Sequence, residues 1–187
     1  MTRTTGLLLA AGAGTRMGRP KALVVDDDGT PWLARVVDAL RGGGCDEVVV
    51  VLGAAADEAR GLVPDDVAVV VAADWAEGMS ASLRTGLDHL EHTDADAALV
   101  SLVDLPDVTD AVVRRVLSAG ADRAALVRTM YDGRPGHPVV LGREHWSGVR
   151  ASAVGDRGAR DYLANRAPVE VECGDLATGD DVDSWQV

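Results

Sequence analysis

The segment Ala11-Gly12-Ala13-Gly14-Thr15-Arg16-Met17-Gly18-Arg19-Pro20-Lys21 gathers glycines and cations directly behind an apolar run, Gly6 to Ala10. Glycines let backbone N–H groups come close to phosphate oxygens, and Arg16 and Lys21 supply countercharge. The chemistry predicted is capture of a phosphorylated ligand. Spacing narrows it. Gly12, Gly14 and Gly18 form GxGxxxG, which weakens a dinucleotide GxGxxG site, and Lys21 does not follow a glycine, which excludes the GxxxxGK loop. Lys21 is also the chain's single lysine, the other seventeen of its 18 Lys and Arg residues being arginine. An ammonium is a compact point charge where a guanidinium is a planar fork, so Lys21 marks a position where arginine does not substitute.

A second chemical signal is acidic. The apolar run Ala97 to Val103 ends in Asp104-Leu105-Pro106, and an aspartate at the carboxyl end of a central strand can hold a hard cation against phosphate. Far downstream, Asp181 and Asp183 sit at spacing two, which in an extended segment places both carboxylates on one face. With Asp104 they complete an expected Mg²⁺ site, because Mg²⁺ takes one or two carboxylates plus phosphate and water. Among the histidines, His137 lies in a turn and reads as a hydrogen-bonding pocket residue. His89 and His92 at i, i+3 offer no evident third ligand and read as a solvated helix face. The four tryptophans have no basic residues interleaved with them and read as packing residues.

These residues need a scaffold. Strand-length apolar runs (Gly6 to Ala10, Glu47 to Leu52, Val67 to Ala73, Ala97 to Val103, Ala124 to Thr129) alternate with helical patterns (Pro31 to Leu40, Ala54 to Leu62, Met79 to Leu90, Asp110 to Ala119). Continuous rather than alternating hydrophobicity predicts strands covered on both faces, hence a mainly parallel sheet with right-handed crossovers. After Thr129 the pattern changes to a turn over 131 to 136. An antiparallel return over His137 to Leu141 and short helices over Arg143 to Val149 and Gly158 to Asn165 follow, read as a small C-terminal substrate lobe within one domain, 1–187.

Composition limits the partners. With 47% hydrophobic residues, 187 residues suffice for a real core, and a net charge of −12 argues against general affinity for nucleic acid or an anionic membrane. Residues 1 to 25 carry four basic side chains and no acid, so anions are expected at that end. Cys45 and Cys173 lie in unrelated contexts, and no apolar run reaches membrane-span length. Arg3 with the apolar stretch to Ala11 mimics a short secretion signal, but Arg16, Arg19 and Lys21 follow at once. The expectation is a cytoplasmic protein.

The run Leu9-Ala10-Ala11-Gly12, Arg16-Met17-Gly18 and Lys21 resembles the signature of the MobA-like nucleotidyltransferases. Gly78-Met79-Ser80-Ala81-Ser82-Leu83, Asp104-Leu105-Pro106, Gly136-His137-Pro138 and Gly155-Asp156-Arg157-Gly158-Ala159-Arg160 extend the likeness to its molybdenum-cofactor cytidylyltransferase branch. The resemblance implies a three-layer α/β/α, Rossmann-like nucleotidyltransferase fold that transfers CMP from CTP to molybdopterin and releases pyrophosphate. It implies Arg16, Lys21 and Asp104 as catalytic residues. Nucleotide binding would fall to Leu9, Ala10, Ala11, Gly12, Gly14, Arg16, Lys21, Ser80, Ser82 and Asp104, and acceptor binding to His137, Asp156, Arg157 and Arg160. Asp104, Asp181 and Asp183 would bind Mg²⁺. Guanine readers usually carry LAGG where this chain has LAAG, so CTP is favoured over GTP; a pterin substrate and a recipient molybdoenzyme are the further partners implied. Three other readings stay open: transfer to another phosphorylated small molecule, a cofactor-delivery module that binds without turnover, and an NAD(P)H-dependent oxidoreductase using the same loop. The last requires an acid closing the second strand, where the chain has Leu52-Gly53.

Overall fold

The computed structural model describes residues 2–182. One mixed sheet of seven strands runs in the order β3-β2-β1-β4-β6-β5-β7. Its strands are β1 (Thr4–Ala10), β2 (Glu47–Leu52), β3 (Ala68–Val71), β4 (Ala97–Leu102), β5 (Leu126–Tyr131), β6 (Arg134–Gly142) and β7 (Val169–Glu172). Strand β1 is central and pairs in parallel with both β2 and β4. All seven of its residues are buried, as continuous hydrophobicity with two covered faces requires.

Alternate β1 side chains feed opposite cores. Leu8 and Ala10 join the layer of α1 (Trp32–Gly43) and α4 (Asp110–Ser118), while Leu7 and Leu9 join that of α3 (Met79–Leu90) and α5 (Arg143–Ser152). Helix α1 buries Leu33, Val36, Val37 and Leu40, the i, i+3, i+4, i+7 stripe of an amphipathic helix. On the other face Trp146 is fully buried and its indole N–H donates to the Leu141 carbonyl at 2.8 Å, so the ring fills the layer without stranding its polar atom. The result is a three-layer α/β/α fold.

The stretch expected as one helix over Ala54 to Leu62 is divided: α2 (Ala56–Ala59) passes into a 3₁₀ turn, Arg60–Leu62. The helix expected over Gly158 to Asn165 is present but shorter, α6 (Arg160–Ala164), and a 3₁₀ turn, Gly155–Arg157, precedes it. The C-terminal part is continuous with the sheet. Strand β6 runs antiparallel to β4 and β5, and the unforeseen β7 pairs in parallel with β5. No helix among the described residues is long and apolar enough to cross a membrane.

Candidate active site

Strand order reverses around β1: β2 and β3 lie to one side, β4 to the other. Such a switch point opens a crevice beyond the carboxyl ends of the two diverging strands. Here it is a cleft of about 510 Å³, lined by residues 9 to 17, Lys21, Leu102 to Asp104, Trp75, Ala76, Gly78, Met79, Ser82, Asp156 and Asp181. The volume suits a nucleotide-sized ligand.

The first loop is built for close approach. Gly14 has φ 61°, and a Cβ there would lie 1.9 Å from the Arg19 carbonyl oxygen, so the loop folds back on itself only with glycine at this position. The fold-back delivers Lys21 on a rigid 3₁₀ turn, Lys21–Leu23. Its ammonium donates to Asp104 Oδ2 at 2.6 Å, and both side chains are only 15% exposed. Residues 83 positions apart thus make one charged centre at the mouth of the cleft.

The last described residues approach the same centre. The Val182 N–H donates to the Asp104 carbonyl at 3.0 Å, setting Asp181 in the cleft wall. Upstream, Thr178 gives both its N–H and its hydroxyl to Asp107 Oδ2, each at 2.6 Å, and Arg134 reaches Asp180 at 3.0 Å. Asp104 and Asp181 therefore share a cleft, whereas Asp183 lies outside the described residues.

On the α3 side the expected ligand groups divide. Ser82 lines the cleft. Ser80 does not: it is fully buried, and its hydroxyl accepts from the Gly158 N–H at 3.1 Å. Asp156 borders the cleft and also accepts from the Met79 N–H at 3.2 Å, fastening the 155–158 turn to the start of α3. Ser80 thus serves as lacing, because a buried hydroxyl takes the nearest backbone donor.

A second cavity of about 220 Å³ adjoins the first, sharing Leu9, Met79 and Asp156. Leu83, Val100, Val139 and Leu141 give it apolar walls, while His137, Arg157, Arg160 and Arg128 supply polar groups. All four residues expected at an acceptor site, His137, Asp156, Arg157 and Arg160, meet here. Arg128 was not foreseen. It lies on β5 in register with Glu170 of β7, with which it forms an ion pair, and nothing in a strand's alternating pattern marks it as a pocket residue.

Burial and the nearby Arg160 guanidinium pull His137 down from 6.5 to about 4. The unfolded chain then binds this proton more tightly than the folded one, so the contribution is complete above about pH 6.5 and is lost as pH falls toward 4. His137→Asn should flatten the rise of Tm between about pH 5 and 6.5, measured by circular-dichroism melting of variant and wild type. Asp96 and Glu172, held below the usual carboxylate range chiefly by backbone N–H donors, titrate at lower pH. An unchanged slope in the variant would place the pH dependence elsewhere.

Trp75, read from sequence as packing, borders the cleft half-buried. Nothing local marked it, because its exposure depends on how the 3₁₀ turn Trp75–Glu77 seats beside the first loop.

Residues 6–171 match the family described as MobA-like NTP transferase domain. Nicotine blue oxidoreductase of Paenarthrobacter nicotinovorans is 37% identical over 191 residues, covering 96% of this chain and 92% of that protein. Molybdenum cofactor guanylyltransferase of Rhodobacter capsulatus is 30% identical over 145 residues, 78% of this chain and 66% of its own length. The crystal structure of Rv0371c from Mycobacterium tuberculosis H37Rv aligns with a TM-score of 0.80 at 31% identity, covering 98% of this chain and 94% of that one. Its complex with manganese aligns at 0.77, with 30% identity over 97% and 94% of the two chains.

Proposed function

The chain belongs to the MobA-like NTP transferase domain family, and from that premise we propose that its cleft transfers CMP from CTP to a phosphate-bearing acceptor, molybdopterin being the acceptor favoured. The observation that carries the reading is the Lys21–Asp104 pair beneath a glycine-rich loop at the sheet's switch point. A phosphate monoester oxygen is already anionic near neutral pH, so the reaction needs no strong base. The acceptor oxygen attacks the α-phosphorus, a new P–O bond forms, and the bond to the bridging oxygen breaks with its electron pair leaving on pyrophosphate. What the protein must supply is alignment and stabilisation of the departing charge.

Each part of the chain has a task in this scheme. The N–H groups of residues 12 to 16 and the Arg16 guanidinium receive the triphosphate, and the Lys21 ammonium, one N–H on Asp104, directs another donor to the departing phosphates. The second cavity holds the acceptor, with Arg157 and Arg160 toward its anionic group and a neutral His137 as hydrogen-bonding partner. Mg²⁺ suits the donor set. Asp104 and Asp181 offer hard oxygen atoms in one cleft, and Mg²⁺ takes one or two carboxylates with water and phosphate in its other positions. Asp104 and Asp181 would hold the ion, which when bound neutralises phosphate charge as a Lewis acid. The manganese complex of the Mycobacterium tuberculosis relative supports a divalent cation here.

CTP is preferred on the strength of Ala11. Its side chain is buried in the cleft wall beside Gly53, and a methyl group there narrows the floor relative to the glycine of LAGG sequences, which favours a pyrimidine. A cytoplasmic site of action accompanies this reading, since Cys45 and Cys173 are buried free thiols.

The 37% identical relative named an oxidoreductase favours a second reading, in which the loop holds the pyrophosphate of a nicotinamide cofactor. Against it, β2 ends at Leu52 and Gly53 follows, so no carboxylate stands where a dinucleotide fold holds ribose. Thermal-shift measurements with CTP, GTP, ATP and NADPH, each with and without Mg²⁺, decide between the readings. A ligand at one hundred times its Kd stabilises by about 2.7 kcal/mol. The expected result is a Mg²⁺-dependent shift largest with CTP; a shift with NADPH alone would overturn the transferase reading.

A further inference from the structure

We infer that Trp75 is the stacking platform for the donor's nucleobase, an inference that rests on the cleft being a nucleotide site. The chain has four tryptophans, two tyrosines and no phenylalanine. Trp32, Trp146, Tyr131 and Tyr162 are all buried, and Trp185 lies outside the described residues. Among the described residues Trp75 is therefore the aromatic left at a ligand-sized opening.

Its position within the opening is specific. The charged groups Arg16, Lys21, Asp104 and Asp181 mark the phosphate and metal part of the cleft. The remaining wall is mainly small and aliphatic, Ala10, Ala11, Gly12 and Met79 among its residues, and Trp75 is its aromatic side chain. The Trp75 stem is seated against the first loop through Gly53: a Cβ at Gly53 would lie 2.6 Å from both Trp75 Cβ and the Ala11 carbonyl oxygen. Backbone bonds fix the turn on either side, Trp75 N–H to the Ala72 carbonyl at 3.3 Å and Gly78 N–H to the Trp75 carbonyl at 3.1 Å. The indole of Trp146 donates to Leu141 and that of Trp32 to Asp26, whereas for Trp75 no hydrogen bond of the indole N–H is found among the described residues. Packing accounts for the buried part of the ring.

Every nucleobase has a π-face, so stacking on Trp75 supplies affinity without reading the base. Discrimination between cytosine and guanine is then left to the Ala11 side of the opening. Two consequences follow: both CTP and GTP should touch Trp75, and removing the ring should weaken both alike.

The experiment titrates full-length protein with CTP and with GTP in the presence of Mg²⁺, following tryptophan fluorescence and calorimetric Kd in wild type, Trp75→Leu and Trp75→Phe. Leucine keeps apolar packing over Gly53 without the ring; phenylalanine keeps a smaller ring and removes the fluorophore. Wild type should quench on binding. Trp75→Leu should bind about tenfold or more weakly, a range expected for losing one base-aromatic stack. Trp75→Phe should recover most of the affinity while losing the quench. In turnover assays the leucine change should fall mainly on KM. If Trp75→Leu binds within twofold of wild type, or if Trp75→Phe still quenches, the platform assignment is overturned while the nucleotide reading stands. If wild type binds no nucleotide by calorimetry, the reading and the inference fall together. Should the leucine variant not fold, the phenylalanine variant alone decides through its retained Kd and lost quench.

Discussion

Lys21→Ala is expected to lower turnover about 10²- to 10³-fold, the effect of deleting one charged donor that meets developing negative charge in a shielded site. Lys21 is mostly buried, 2.6 Å from Asp104, on a turn held by the fold-back of the first loop. Truncation leaves Asp104 without this ion pair. The cleft admits water to the carboxylate, so the cost to folding should be about 1–3 kcal/mol, less than or near the low end for breaking a fully buried pair. At roughly 2–4 °C per kcal/mol for a chain of this size, the melting temperature falls but the protein remains folded. Lys21→Arg is the sharper variant. Charge is conserved, yet a planar fork must occupy the space of a point charge between a carboxylate and a phosphate, and most of the loss should persist. Pyrophosphate release with CTP, Mg²⁺ and the pterin acceptor, alongside circular-dichroism melting, measures both quantities. Turnover within threefold of wild type in Lys21→Ala would remove this residue from the mechanism.

Asp104→Asn should be comparably severe by a different route. The amide matches the carboxylate in shape and can still accept from Lys21, so the protein should stay folded, although the Lys21 ammonium loses its counter-charge at a cost of about 1–3 kcal/mol. The negative charge that a hard cation requires is gone. A Mg²⁺ titration of activity should then fail to saturate where wild type does, with at least a hundredfold loss at a fixed metal concentration. Asp181→Asn should produce a smaller shift of the same titration, because that side chain is exposed and the Val182 N–H to Asp104 carbonyl contact holds its backbone regardless. A wild-type metal titration in Asp104→Asn would move the cation to other groups.

Much of this site was legible before any coordinates. The first loop follows a strand whose burial is unbroken, and glycine and cation types within eleven residues are local facts that local chemistry can interpret. Asp104 was legible for a similar reason: a strand-ending aspartate followed closely by proline has few structural readings. His137, Asp156, Arg157 and Arg160, which the resemblance assigns to acceptor binding, line one cavity. Ser80 shows where residue type misleads, since a serine at the start of a helix beside a ligand cleft can face inward, and here its hydroxyl is spent on Gly158.

Arg128 and β7 were not legible. Arg128 stands between Val127 and Thr129 with nothing local to mark it, and its place at a cavity, in register with Glu170 of β7, shows only in the assembled sheet. Strand β7 is four residues of alternating valine and glutamate behind Pro168, too short for periodicity to separate it from a loop. Trp75 lacked a signal because aromatic side chains serve cores and ligand platforms equally well, and solvent exposure is a property of neighbours.

The sequence alone determined the alternation of strands and helices, the glycines and cations of the first loop, the singular lysine and the acid just beyond β4, because these depend on residue type and short spacing. Tertiary structure decided that Lys21 meets Asp104, that Asp181 joins their cleft, that Trp75 faces it, and that the C-terminal strands extend the same sheet. These contacts span tens of residues. Their geometry follows from the twist and order of the whole sheet, which no short window of sequence contains.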